Sequence, residues 1–263
     1  MTVTNKWLIN IWHMHYNRCG FTLLEISIVL TIVGLIVGGI LVGRNMIRGA
    51  EVRNMSAEAS TIKSAIDMFR QQYEALPGDF RLAYQFWPTA GCTDNSVITD
   101  DTGCNGDGNG QIFATAWYKE GLRGWQHLAL AGMIPGNYPG SRASSAVAAN
   151  RCVVGVTIPR AEAVPAGWEY LDLANHAGLG ITKTGTAIAL GFPDNLCMGS
   201  GVVTPEEAYS IDTKIDDGIP FEGRFYGNHT VASYRVDDCR DATGTAYNLS
   251  NENRDCYLLW SLR

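Results

Sequence analysis

The chain has 263 residues and a formal net charge of −6, with 46% hydrophobic and 17% charged residues. That length suits one domain of ordinary size or two small ones, with a real core to bury. An acidic balance argues against sequence-independent binding of nucleic acid, which needs clustered Lys and Arg against phosphates.

Residues 1–20 carry Lys6 and Arg18 and no acid, and read as a targeting segment that stands outside the fold. From Phe21 to Gly43 the sequence is apolar with a single charge, Glu25. At about 1.5 Å per residue this run crosses a hydrocarbon core of roughly 30 Å, which predicts a membrane-spanning helix. A carboxylate at the centre of such a helix costs on the order of 2.5–3.5 kcal/mol, and less toward the interface. Keeping it there implies a partner, unless the segment is an ordinary signal-anchor with an incidental acid.

Gly20-Phe21-Thr22-Leu23-Leu24-Glu25, behind a short basic leader and ahead of the apolar helix, resembles the processing site of type IV prepilins and type II secretion pseudopilins. The resemblance implies cleavage by a prepilin peptidase between Gly20 and Phe21, N-methylation of Phe21, and an assembly role for Glu25. The Glu25 carboxylate would pair with a Phe21 amino group, of its own chain or of a neighbour. Orientation, with the leader inside, also follows from the resemblance, because Arg44 and Arg48 at the far interface run against the positive-inside tendency. Gly34, Gly38, Gly39 and Gly43 recur at spacings that let helices approach closely in lipid, or that loosen the helix locally.

Residues 44–78 change period. Met55, Ala59, Ile62, Ile66, Phe69 and Tyr73 form one apolar stripe, with Arg53, Glu58, Lys63, Asp67, Arg70 and Glu74 mostly off it. Pro77-Gly78 is the expected stop. The stripe suits packing on the protein's own sheet; a coiled coil with a partner is the alternative. With the membrane run it predicts one helix of about 55 residues, roughly 80 Å long.

Residues 79–263 predict an α+β head. Trp125–Ile134 reads as a short buried helix, ended by Pro135-Gly136. Cys152–Ile158, Trp168–Leu173, Thr186–Phe192, Arg224–Arg235 and Tyr257–Leu262 read as strands, and Thr204-Pro205-Glu206-Glu207 starts a helix running to Lys214. Few helical crossovers separate the strands, so the sheet should be antiparallel. The resulting fold class is pilin-like: a long N-terminal helix laid on an antiparallel sheet.

Of seven cysteines, Cys19 leaves with the leader and Cys92, Cys104, Cys152, Cys197, Cys239 and Cys256 remain. An even number in a chain that sends its body across a membrane predicts disulfides rather than reduced core thiols. Six cysteines allow 15 pairings; nearest-neighbour pairing is expected because each bond would close a local loop. The Cys239–Cys256 stretch, rich in Asn, Asp, Thr and Gly, is similar to the disulfide-bounded loop near the end of many type IV pilins.

Chemistry is sparse. Asn105, Asp107 and Asn109 alternate with Gly, like the start of an EF-hand-type calcium loop, but the twelfth position is Ala116 where a bidentate Glu is expected. Calcium would need to borrow an acid such as Asp101, Asp94 or Asp100; a glycine-rich turn network is the alternative. Asp212, Asp216 and Asp217 form a second acidic patch, better explained as a solvated helix end. No His-Glu-x-x-His, Gly-x-Ser-x-Gly or phosphate-cradling pattern occurs, and His127 reads as a buried core histidine. The expected function is therefore structural and not enzymatic: a subunit inserted in the inner membrane, processed, and packed with other pilin-like subunits by an inner-membrane assembly machinery into a periplasmic or cell-surface filament. Its partners would be those subunits, the peptidase and the bilayer, with no nucleic acid. Cofactors are none, or calcium. A type II secretion pseudopilin shares the same front end, and a membrane-anchored calcium-dependent binding domain or enzyme is the alternative of a different class.

Overall fold

The computed structural model describes residues 20–88, 92, 103–112, 119–141, 152–173, 184–193, 197–228, 238–241 and 243–262. Residues 1–19 of the expected leader, including Cys19, lie outside them. Contacts divide the chain into two units, Met1–Arg48 and Gly49–Arg263.

Helix α1 spans Leu23–Tyr73 and is long and apolar enough to cross a membrane by length and composition. Within the first unit its side chains are bare: Leu23 is 88% exposed, and Leu35 and Val42 are exposed as well. Ser27 and Thr31 turn their hydroxyls onto the helix's own carbonyls, of Leu24 at 2.8 Å and of Ser27 and Ile28. Their polarity is thereby satisfied inside the segment, as an apolar solvent requires.

In the second unit the period of α1 becomes that of a helix seated on a core. Val52, Met55, Ala59, Ile62, Ala65, Ile66 and Phe69 are buried, and Tyr73 packs at the edge. The helix stops at Tyr73, before the expected Pro77-Gly78. Glu74 takes a left-handed conformation (φ 53°) and its N–H reaches the Arg70 carbonyl at 2.9 Å. Leu76, immediately ahead of Pro77, is also biased away from helix.

After α1, the one-turn helix α2 (Ala83–Phe86) and helix α3 (Lys119–Leu130) enclose an aromatic cluster of Phe69, Tyr73, Phe80, Phe86 and Trp87 around His127. Helix α3 begins earlier than Trp125 and ends earlier than Ile134. Buried Glu120, Arg123 and Gln126 interrupt the apolar pattern at its start. Its end is set by Gly132 (φ 69°), with Met133 N–H on the Leu128 carbonyl at 2.9 Å, a Schellman closure that precedes Pro135.

Among the described residues the strands are β1 (Gly167–Asp172), β2 (Thr186–Pro193), β3 (Met198–Ser200), β4 (Phe225–Asn228) and β5 (Tyr257–Ser261). All pair antiparallel, in the order β1-β2-β5-β4, with β3 on the end of β2. Helix α4 (Pro205–Ile215) starts at a full capping box between Thr204 and Glu207. Cys152–Ile158 is a turn and not a strand: Gly155 has φ 79°, and the Thr157 hydroxyl accepts from Val153 N–H at 2.7 Å. The predicted strand Arg224–Arg235 is described only as far as Asn228. Helix α3 meets β1 through glycines: a methyl at Gly121 would lie 2.1 Å from the Tyr170 carbonyl oxygen, and one at Gly124 would lie 2.6 Å from the Tyr170 ring.

Among the described residues, disulfides join Cys92 to Cys104, Cys152 to Cys197 and Cys239 to Cys256, with Cα–Cα distances of 5.3, 4.9 and 4.9 Å. Glu58, off the apolar stripe of α1, is a clip. Its carboxylate accepts from the amides of Glu162 and Ala163 at 3.1 Å and from the indole N–H of Trp168 at 3.0 Å.

His127 is fully buried. Its Nδ1 accepts from Gly78 N–H at 2.9 Å, and its Nε2 lies 3.0 Å from the Cys104 carbonyl, so a neutral ring ties the turn after α1 to the disulfide loop. Burial pushes its pKa down to about 3, and Arg123 adds to the fall. An unfolded histidine titrates near 6.5, so between about 6.5 and 3 the unfolded chain binds the extra proton and stability declines as pH falls. Measured against His127→Gln by denaturant unfolding at stepped pH, the wild-type chain should lose up to about 1.4 kcal/mol per pH unit across that window. Parallel profiles would contradict the buried neutral ring.

Candidate functional site

The amino-terminal site is built on the start of α1. Gly20 and Phe21 precede the helix without regular structure, and Phe21 is 82% exposed. Thr22 and Glu25 form a reciprocal cap. Thr22 N–H and its hydroxyl each donate to Glu25 Oε2 at 2.8 Å, and Glu25 N–H donates to Thr22 Oγ1 at 3.2 Å. This is the Ser/Thr-x-x-Glu capping box. Its signal stands in Thr22-Leu23-Leu24-Glu25, but sequence reasoning missed it and assigned the carboxylate only to the Phe21 amino group.

Among the described residues, a methyl added at Gly34, Gly38, Gly39 or Gly43 meets nothing within 4 Å.

In the head, the Asn105–Ile112 loop is organised by Asp79, a residue outside the spacing pattern and almost fully buried. Its Oδ1 accepts from the amides of Gly108 (2.6 Å) and Asn109 (3.1 Å), and its Oδ2 from Gly110 (2.8 Å). The loop lies flush on it: a methyl at Gly106 would sit 2.2 Å from the Asp79 Cα. Burial pushes the Asp79 pKa up to about 6, opposed by the Gly110 and Gly108 amides and reinforced by Asp107.

The expected calcium oxygens of Asn105, Asp107 and Asn109 accept backbone amides, one from α2 and two within the loop. Asn105 Oδ1 accepts from Tyr84 N–H at 2.9 Å, Asp107 Oδ1 from Asn109 N–H at 3.0 Å, and Asn109 Oδ1 from Gln111 N–H at 2.7 Å. Asp101, Asp94 and Asp100 lie outside the described residues. Among the described residues, carboxylate oxygens of Asp79, Asp107 and Glu120 lie within 4.8 Å of one another, as do those of Asp212, Asp216 and Asp217. Among the described residues, Asp107 alone of the four expected calcium residues belongs to such a group.

The second acidic group also works as a set of backbone clamps. Asp212 is fully buried, accepting from Tyr247 Oη at 2.7 Å and Gly218 N–H at 3.2 Å. Asp216 accepts from the amides of Arg224 and Phe225. Burial pushes the Asp212 pKa up to about 6 against the Tyr247 hydroxyl and the Gly218 amide.

The architecture, a long N-terminal apolar helix with an antiparallel sheet head, is α+β and pilin-like. Residues 16–41 match the prokaryotic N-terminal methylation motif, the prepilin-type signature of type IV pilins and pseudopilins. No curated protein and no solved structure matches the chain. The motif implies processing by a prepilin peptidase and assembly with other pilin subunits, and with the apolar helix it fits an inner-membrane-anchored precursor.

Asp79→Ala removes the acceptor of three amides. It should lower the unfolding free energy of the oxidised protein by about 3 kcal/mol in denaturant titration. A loss under about 0.5 kcal/mol would show that the loop does not depend on this carboxylate.

Proposed function

We propose that this chain is a structural subunit of a type IV pilus-like filament. A prepilin peptidase cuts between Gly20 and Phe21 and methylates the new amino terminus, and the subunit is then drawn from the inner membrane into a helix-packed filament core. The observation that carries this reading is the methylation motif at residues 16–41, which leads into a helical run, Leu23 to Val42, whose large apolar side chains are exposed.

Glu25 supplies register. In a low-dielectric core of packed helices an unpaired carboxylate and an unpaired amine are both costly, so a helix that seats Glu25 against a Phe21 amine is favoured over one that does not. The open Cβ positions at Gly34, Gly38, Gly39 and Gly43 support close packing by neighbouring helices. A type II secretion pseudopilin would use the same front end in a periplasmic filament.

Gly20→Asp should leave the leader attached in cells that contain a prepilin peptidase. A free, methylated Phe21 found by mass spectrometry in that variant would exclude this cleavage site. Glu25→Ala should remain membrane-bound and processed while entering sheared filaments at least tenfold less than wild type; wild-type incorporation would sink the amine pairing.

A further inference from the structure

We propose that Asp79 and the Phe80 carbonyl guard the head against spontaneous succinimide formation at three consecutive Asx-Gly steps, Asn105-Gly106, Asp107-Gly108 and Asn109-Gly110. These are modification sites that the fold keeps unreacted, whatever the subunit assembles into.

In this chemistry the amide nitrogen that follows Asn attacks the side-chain carbonyl carbon. A bond forms between that nitrogen and Cγ, the Cγ–Nδ2 bond breaks, and ammonia leaves with the amide proton; water then opens the ring to Asp or isoaspartate. For Asp the leaving group is water. Glycine in the second place makes the step easy, because it has no Cβ to hinder the approach and reaches backbone angles closed to other residues. Three such steps in a row would be a weak point in an unstructured loop.

Every nitrogen that would attack is already engaged. Gly106 N–H donates to the Phe80 carbonyl at 2.9 Å, Gly108 N–H to Asp79 Oδ1 at 2.6 Å and Gly110 N–H to Asp79 Oδ2 at 2.8 Å. Taking the proton from an amide that faces a carboxylate would set two negative charges side by side, so Gly108 and Gly110 must leave Asp79 before they react. The loop has little room to swing away, since a methyl at Gly106 would lie 2.1 Å from the Asp79 carbonyl carbon.

The side-chain carbonyls are not what is protected. Oδ1 of Asn105, Asp107 and Asn109 each accepts a backbone amide, from Tyr84, Asn109 and Gln111. Such donors stabilise the oxyanion of an attacked carbonyl. The electrophile is ready and only the nucleophile is withheld. The same device recurs at a fourth such step, Asp217-Gly218, where Gly218 N–H donates to Asp212 Oδ1 at 3.2 Å.

The test follows the oxidised full-length protein in detergent micelles at mildly alkaline pH, with deamidation of Asn109 read by peptide mass spectrometry. In the native wild type Asn109 should deamidate at least about tenfold more slowly than in the reduced chain in denaturant, the factor for opening one hydrogen bond to a charged group. Asp79→Ala, and Asp79→Asn, which keeps the shape and loses the charge, should each raise the native rate by about tenfold. Leu259→Ala, a cavity in the buried centre of β5, lowers global stability to a similar extent without touching the loop, and should leave the Asn109 rate within about twofold of wild type. A native wild-type rate equal to that of the unfolded chain overturns the proposal. So does a wild-type rate in both Asp79 variants, or a rise in Leu259→Ala equal to theirs.

Discussion

A carboxylate that collects several donors fixes the chain around it, and in this protein such clamps recur from one segment to the next. Glu25 closes the first turn of α1 with Thr22. Glu58 gathers two loop amides and the Trp168 indole against the same helix. Asp79 collects three amides of a glycine-rich loop, and Asp212 joins the end of α4 to Tyr247 inside the Cys239–Cys256 loop. Hydrogen bonds to charged acceptors are roughly twice as strong as neutral ones, so a short chain of such clamps can order segments that have no ladder of their own.

Helix α1 answers to two different solvents. Its first half keeps large apolar side chains uncovered and turns its few hydroxyls back on its own carbonyls, which suits lipid or a bundle of like helices. Its second half restricts apolar residues to one stripe and closes that stripe against aromatic and aliphatic side chains of the head. The change in hydrophobic pattern falls near Arg44–Gly49, where the contact units also divide.

The Asn105–Ile112 loop shows why an oxygen-rich spacing does not by itself define a cation site. Alternating Asn, Asp and Gly supply acceptors for amides two residues on, the ordinary turn use of these side chains. The residue that anchors the loop comes from 29 positions earlier in the chain, which no local spacing could reveal. The carboxylates of Asp79, Asp107 and Glu120, whose oxygens lie within 4.8 Å of one another, are a group assembled only by the fold.

The processing motif, the membrane-length run, the stripe from Met55 to Phe69, the capping box of α4 and most strand cores were legible in the sequence, because each is a short-range pattern with a physical period or a fixed spacing. Even the Thr22–Glu25 box stood in plain view as a four-residue signature. Tertiary structure decided the rest. Glu58 looked like a solvated helix residue until Trp168 and the Glu162–Ala163 amides came within reach. Gly121 and Gly124 carried no periodic signal, yet they are where α3 meets Tyr170. The Cys152–Ile158 stretch had strand composition but forms a turn around Thr157, and α3 started early because its first turns bury polar side chains. Patterns along the chain report what each segment prefers by itself; partners brought from far along it determine which preference is kept.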